Sequence, residues 1–290
     1  MTHIELKARQ LRDEAEKKLN PRGFFKTLFS KTSHRVEEST EYYSRAGNLF
    51  KMAKNWSQAG YAFADAADLN LRNSNRVEAA INYVEAANCF KKTDVSRAVE
   101  FYLKAIEIYC DKGKFVMGAK YHQAIAELLE DESDGDDAVG HYEKAAELYK
   151  QECNFSSANK CLEKIGERAA LDGDYHKAVG IFQEIACFDL ASSVLRYCAK
   201  QYLFRAAICL LCSEADVGAK MATYVDMYPA FEESREYRLV VCLLECVERG
   251  DGDRFAAAVR KYDSASKLGQ WHAAMLQRAR KRIAERPDLR

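Results

Sequence analysis

The segments Ala98-Val-Glu-Phe-Tyr102, Ala138-Val-Gly-His-Tyr142 and Ala178-Val-Gly-Ile-Phe182 stand forty residues apart, twice over. Each continues in phase through Ala105, Ala145 and Ile185, and then Tyr109 and Tyr149. A looser copy precedes them at Ala59, Phe63 and Ala66. The intervening stretch repeats as well, with Phe115 and Phe155 in register, followed by Gly118, Ala158 and Cys198. Small and aromatic residues at three- and four-residue intervals lie on one face of a helix, so each unit of forty predicts two paired helices. A fixed period of this size predicts an all-α fold, a tetratricopeptide-like solenoid of helical hairpins forming a twisted sheet of antiparallel pairs.

The punctuation agrees. Only 3 prolines and 14 glycines occur in 290 residues, and Pro21, Pro229 and Pro287 all sit beside candidate element boundaries. Lys92-Thr-Asp94, Asp111-Lys-Gly113, Ser133-Asp-Gly-Asp136 and Asp172-Gly-Asp174 each precede a helical pattern, where Asp, Ser or Thr can cap free backbone amides. Residues 1–239, with an irregular loop at 21–31, read as the solenoid, and residues 240–290 as a C-terminal helical cap or bundle.

The chain carries 44 basic and 44 acidic residues, so it lacks the global charge of a nucleic-acid binder. The longest uninterrupted apolar run, Ala206 to Cys212, is far short of the ~20 residues of a membrane-spanning helix. The charged first twenty residues have no signal-peptide core. A cytosolic protein is expected, and its 10 cysteines then read as reduced, mostly buried thiols.

Catalytic chemistry is absent from the motifs. No phosphate-binding loop exists, and an EF-hand register at Gly135 would place His141 where a bidentate carboxylate is needed. Cys209, Cys212, Cys242 and Cys246 lie in leucine-rich segments that read as core and not as a zinc site. The six histidines have no metal or catalytic spacing. We expect no cofactor, no metal and no enzymatic activity.

Three features invite binding. Lys120, Lys160 and Lys200 recur every forty residues, and Lys104 and Lys144 form a shorter pair, giving either a solvated face or a basic groove for an acidic, elongated partner. Phe24, Phe25, Leu28 and Phe29 sit in one loop with Arg22, Lys26 and Lys31, suiting either a plug on the first hairpin or an anionic lipid surface. Leu289 in the tail Asp288-Leu289-Arg290 is either frayed or a small apolar hook.

The run Asn48-Leu-Phe50-Lys-Met-Ala-Lys-Asn-Trp56-Ser-Gln-Ala59-Gly60 resembles the soluble NSF attachment proteins, the SNAP adaptors. So do Ala105-Ile-Glu-Ile-Tyr109, Ser156-Ser-Ala-Asn-Lys160-Cys-Leu162, Pro229-Ala-Phe231, Ser234-Arg-Glu236, Gln270-Trp271 and the tail. The resemblance implies an adaptor of vesicle fusion and intracellular transport. It binds assembled SNARE bundles of syntaxin-type, SNAP-25-type and synaptobrevin-type helices, several copies to a bundle. It also recruits and stimulates the hexameric AAA ATPase NSF, the N-ethylmaleimide-sensitive factor, which takes the bundle apart.

On this resemblance Lys114, Lys120, Lys160, Lys164 and Lys200 would contact the bundle. Phe24, Phe25, Leu28 and Phe29 would attach the chain peripherally to the cytosolic face of a membrane. Glu214, Asp216, Glu245, Glu248 and Leu289 would bind and activate the ATPase, although Arg249 stands where the family has a further acidic residue. Apart from the resemblance, a generic repeat scaffold binding an acidic peptide or helical partner fits the same sequence.

Overall fold

The computed structural model describes residues 2–19, 32–132, 136–213 and 215–285. Among them are fourteen α-helices and no strand: α1 His3–Leu19, α2 Thr32–Met52, α3 Trp56–Arg72, α4 Arg76–Phe90, α5 Val95–Asp111, α6 Phe115–Glu132, α7 Asp136–Gln151, α8 Phe155–Asp172, α9 Tyr175–Ala191, α10 Ala199–Cys212, α11 Val217–Met227, α12 Arg235–Arg249, α13 Gly252–Ala265 and α14 Gln270–Glu285. Pro229–Phe231 forms one 3-10 turn. The tetratricopeptide-like class expected from the repeat is what is found. The chain divides into two compact units, Met1–Ala158 and Asn159–Arg290, and α12 runs without interruption through residues 239 and 240.

In the first unit every helix from α1 to α7 packs on its chain neighbours as a series of antiparallel hairpins. The repeat positions form its core. Ala98, Ala105 and Ala145 are fully buried, and Tyr102, Tyr109, Tyr142 and Tyr149 nearly so. Small residues set the helix spacing: a Cβ added at Gly60 of α3 would lie 2.6 Å from the Phe90 ring of α4. Phe90 in turn stacks on Phe101 with centroids 5.5 Å apart, so an aromatic ladder fills the space that the small residues leave.

Six of the inter-helix turns share one geometry. Lys54, Ser74, Gly113, Cys153, Gly173 and Gly250 all have left-handed backbones. In each case the next residue's N–H donates to a carbonyl five residues back, as in Asn75 to Asn70 at 2.8 Å, Asn154 to Tyr149 at 2.8 Å and Asp251 to Cys246 at 2.9 Å. This six-residue closure satisfies carbonyls that a helix end leaves free. In the Gly173 turn the following side chain then caps the next helix, Asp174 accepting from Lys177 N–H at 3.0 Å; at the α4–α5 turn, which closes without a left-handed residue, Asp94 accepts from Arg97 N–H at 3.0 Å, both as the sequence predicts. The turn before α6 instead uses the positive φ of Gly113. The stretch Ser133-Asp-Gly lies outside the described residues.

The second unit is built around α10, which packs against α9, α11, α12 and α14. Phe182, Leu203, Ile208, Tyr224, Phe231, Leu243, Phe255 and Met275 form its fully buried core. At ~2 to 3 kcal/mol for a wholly buried large apolar side chain, this core is the main stabilising contribution. The period of forty fails at α10. Residues 192–198 form turns, with Ser192 Oγ accepting from Leu195 N–H at 3.2 Å, so the helix starts at Ala199. Consequently Cys198 is exposed, while its repeat mates Gly118 and Ala158 are buried.

Helix α14 is fastened by its polar side chains. Trp271 Nε1 donates to Glu167 O at 3.0 Å, and Arg278 donates to Ala170 O at 3.1 Å and to Leu171 O. Arg282 donates to Leu211 O at 3.2 Å and to Ser213 O. The two arginines thus place positive charge on the C-terminal carbonyls of α8 and α10, where helix dipoles favour it.

Candidate functional site

The five lysines of the expected basic face divide between the units. In the first, Lys114 immediately precedes α6 and Lys120 lies in its second turn; both are exposed. Lys120 Nζ is 5.8 Å from the Tyr121 ring centroid, and neither lysine is in an ion pair among the described residues. Other lysines of this unit are neutralised: Lys51 meets Glu85 at 2.6 Å and Lys104 meets Glu100 at 2.7 Å.

In the second unit Lys160 and Lys164 are exposed one turn apart on α8, and Lys200 is half-buried in the first turn of α10. The acidic residues between and beyond the α8 lysines point elsewhere. Glu163 accepts from Tyr202 OH at 3.0 Å and pairs with Arg205 at 2.8 Å, and Glu167 pairs with the same guanidinium. Arg205 therefore occupies Glu163 and Glu167, Arg168 holds Asp172 at 2.9 Å, and Lys160 stays without an ion pair among the described residues.

Beside Lys200 the structure adds residues that the sequence reading passed over. Val194 and Tyr197, in the turns before α10, are 79% and 75% exposed, the highest values among the large apolar residues described. Cys198 and Lys200 keep the forty-residue spacing in the sequence, so the spacing gave no signal of this exposure.

The acidic candidates are sorted by the second unit's geometry. Asp216 caps α11, accepting from Ala219 N–H at 3.0 Å. It lines a cleft of about 220 Å³ together with Glu248 and Arg282. Glu245 does not line that cleft and is held by Arg254 at 3.0 Å. Arg249 is the exposed final residue of α12. Glu214, Leu289 and the whole aromatic set of Phe24, Phe25, Leu28 and Phe29 lie outside the described residues.

The cysteines are all free. Burial pushes the Cys212 thiol up to about 11, and that thiol donates to Met275 O at 3.3 Å. Cys209 and Cys246 are buried too, whereas Cys153, Cys187 and Cys198 are exposed. The described residues contain no group of three His, Cys, Asp or Glu side chains placed to hold a metal. One histidine pair escaped the spacing analysis: His122 Nδ1 and His141 Nδ1 are 3.0 Å apart between α6 and α7. Burial and the neighbouring ring push His122 down to about 4.

The described residues thus make a helical-repeat protein, with lysines free of ion pairs in each unit and a cleft that holds Asp216 and Glu248 beside Arg282. Residues 6–284 match the family model for the soluble NSF attachment protein, SNAP. The chain is 44% identical to the mouse alpha-soluble NSF attachment protein, covering 99% of this chain and 98% of the relative. It is 33% identical to the alpha-soluble NSF attachment protein of Vitis vinifera, covering 93% and 92% respectively. It is 32% identical to the vesicular-fusion protein SEC17 of Komagataella phaffii, covering 97% of each. A solved signal-transduction ATPase with a tetratricopeptide repeat sensor from Pyrococcus horikoshii is similar at TM-score 0.46 and 13% identity, covering 98% of this chain and 44% of that one. The chain belongs to the soluble NSF attachment protein family. No helix among its described residues is long and apolar enough to cross a membrane.

Proposed function

We propose that this adaptor of SNARE complexes and NSF in vesicle fusion grips the assembled SNARE bundle through Lys114, Lys120, Lys160, Lys164 and Lys200. The observation that carries the reading is the contrast among lysines. Lys51 and Lys104 are spent on Glu85 and Glu100, whereas Lys114, Lys120, Lys160 and Lys200 have no ion pair among the described residues. Free ammonium groups meet an acidic helical bundle at little cost in broken contacts, and the attraction weakens as salt rises. Exposed Val194 and Tyr197 add apolar area beside Lys200.

Residues 1–239 hold the bundle, and residues 240–290, joined by Glu214 and Asp216 at the end of the solenoid, meet the ATPase. Asp216 and Glu248, with Glu214 and Glu245, receive basic groups of NSF, and Leu289 provides the activating tail contact. Phe24, Phe25, Leu28 and Phe29 hold the chain peripherally on the cytosolic face of the membrane in which SNAREs are anchored. Several copies around one bundle multiply weak contacts by raising effective concentration. The adaptor transmits force and carries out no chemistry of its own.

The test is ATP hydrolysis by NSF with a soluble SNARE bundle. Wild type is expected to stimulate hydrolysis and disassembly; Leu289→Ala is expected to bind the bundle without stimulating. Charge reversal at Lys120 and Lys160 is expected to abolish bundle binding while the helical fold survives. Unchanged affinity of that variant at low salt would return these lysines to an ordinary solvated face.

A further inference from the structure

Arg282 and Arg278 do the same local task on one helix, yet only Arg282 touches a segment that carries candidate ATPase contacts. Its guanidinium donates to Leu211 O at 3.2 Å and to Ser213 O, at the point where α10 ends. The same connection is knitted by Ser213 Oγ, which donates to Leu210 O at 2.9 Å and accepts from Ala215 N–H at 3.2 Å. The next residue is Asp216, whose carboxylate is directed by the Ala219 N–H of α11. Asp216, Glu248 and Arg282 line one cleft.

The charges in that cleft are asymmetric. Arg282 faces two backbone carbonyls and has no ion pair among the described residues, and neither Asp216 nor Glu248 has one. Among the described residues that line the cleft, the one cation is thus bonded to the backbone, while two carboxylates are left for an incoming cationic group.

We infer that Arg282 is a positioning residue for ATPase recruitment: it fixes the α10–α11 connection so that Asp216 shares one cleft with Glu248. The inference rests on the reading that this end of the chain meets NSF. Without the guanidinium, two helix-end carbonyls lose their donor and the connection gains freedom that binding must then remove. The result is weaker recruitment, with the stimulated rate at saturation unchanged, because the groups that contact NSF are all still present. Arg278 supplies the internal comparison. It caps α8 through Ala170 and Leu171, so its loss removes equivalent bonds from the same helix without disturbing the acidic connection.

The experiment is a titration of NSF and soluble SNARE bundle with full-length adaptor, reading ATP hydrolysis, with a melting temperature for each adaptor, for wild type, Arg282→Gln, Arg282→Lys, Arg278→Gln, Asp216→Asn, Glu248→Gln and the Arg282→Gln, Asp216→Asn double variant. Arg282→Gln is expected to raise the half-maximal adaptor concentration about five- to tenfold with an unchanged plateau and unchanged bundle binding, the scale of losing one ordinary hydrogen bond. Arg282→Lys is expected to recover part of this. Arg278→Gln is expected to lower the melting temperature comparably while shifting the half-maximal concentration less than about twofold, and the double variant to be no weaker than the poorer single one. Equal shifts for the two arginine variants, or full additivity in the double variant, would overturn the inference. If Asp216→Asn shifts the curve and Arg282→Gln does not, the inference alone fails. If Asp216→Asn and Glu248→Gln both leave the curve in place, the assignment of this end to NSF fails, and the inference with it.

Discussion

Trp271 and Glu167 are joined across 104 residues of chain: the indole Nε1 donates to the backbone carbonyl of Glu167 at 3.0 Å. The same indole lies edge-on to Phe182, with centroids 5.6 Å apart, and faces the Arg205 guanidinium at 5.3 Å. One side chain of α14 therefore touches the helix that carries Lys160 and the cation that pairs with Glu163 and Glu167 of that helix. Replacing it with Phe keeps most of the apolar area and removes the hydrogen bond. Urea denaturation of Trp271→Phe is expected to show a loss of about 1 kcal/mol, and that of Trp271→Ala about 3 to 5 kcal/mol. Equal losses would mean that the hydrogen bond, and not packing, dominates.

Cys153 holds a left-handed φ of 54°, a position that Gly113 and Gly173 fill in equivalent turns. A side chain there costs about 1 to 2 kcal/mol relative to glycine. Cys153→Gly is expected to raise the urea midpoint, and Gly173→Ala to lower it. An unchanged midpoint for both would show that these turns bear no strain.

His122 and His272 are each pushed down to about 4, first by burial, with His141 and Lys144 adding to the effect on His122 and Arg205 to that on His272. Both are neutral in the folded chain and titrate near 6.5 once unfolded. The unfolded state therefore takes up protons first, and their contribution to stability is complete above pH about 6.5 and is lost as pH falls toward 4. Melting temperature is expected to decline from pH 7 to 5, with a shallower decline for His122→Gln. A slope unchanged by that substitution would clear His122 of the effect.

The aromatic loop is addressed by changing how the substrate is presented. Phe24→Ser with Phe25→Ser is expected to impair disassembly of SNAREs anchored in liposomes, while soluble bundles are disassembled as by wild type. Equal impairment with both substrates would place these rings in the fold and not at the membrane.

Much of the first unit was legible because its repeat positions are also its core positions. Alanines that recur every forty residues are the points of closest helix approach, and the phased tyrosines fill the remaining volume. Legibility ended at α10, where the turns at 192–198 delay the helix to Ala199 and bring Val194 and Tyr197 to the surface. Lys120, Lys160 and Lys200 could be nominated from spacing, and Lys114 and Lys164 only from the resemblance, but that Lys160 stays unpaired depends on Arg205 capturing Glu163 and Glu167 from another helix. The His122 and His141 contact and the duties of Arg278 and Arg282 were equally hidden. Contacts between non-adjacent elements leave no periodic trace in the chain.

The reach of α14 also imposes an order on biosynthesis. Its donors close the ends of α8 and α10, yet the ribosome makes α14 about a hundred residues after α8, some 5 to 20 seconds later at ordinary elongation rates. During that interval the carbonyls of Ala170, Leu171 and Leu211 are without their arginine donors, and the core surface that Met275 and Leu276 will cover faces water. The nascent chain thus passes through a stage in which its hairpins are made but its second core is unsealed, the stage at which a cell's chaperones would meet it.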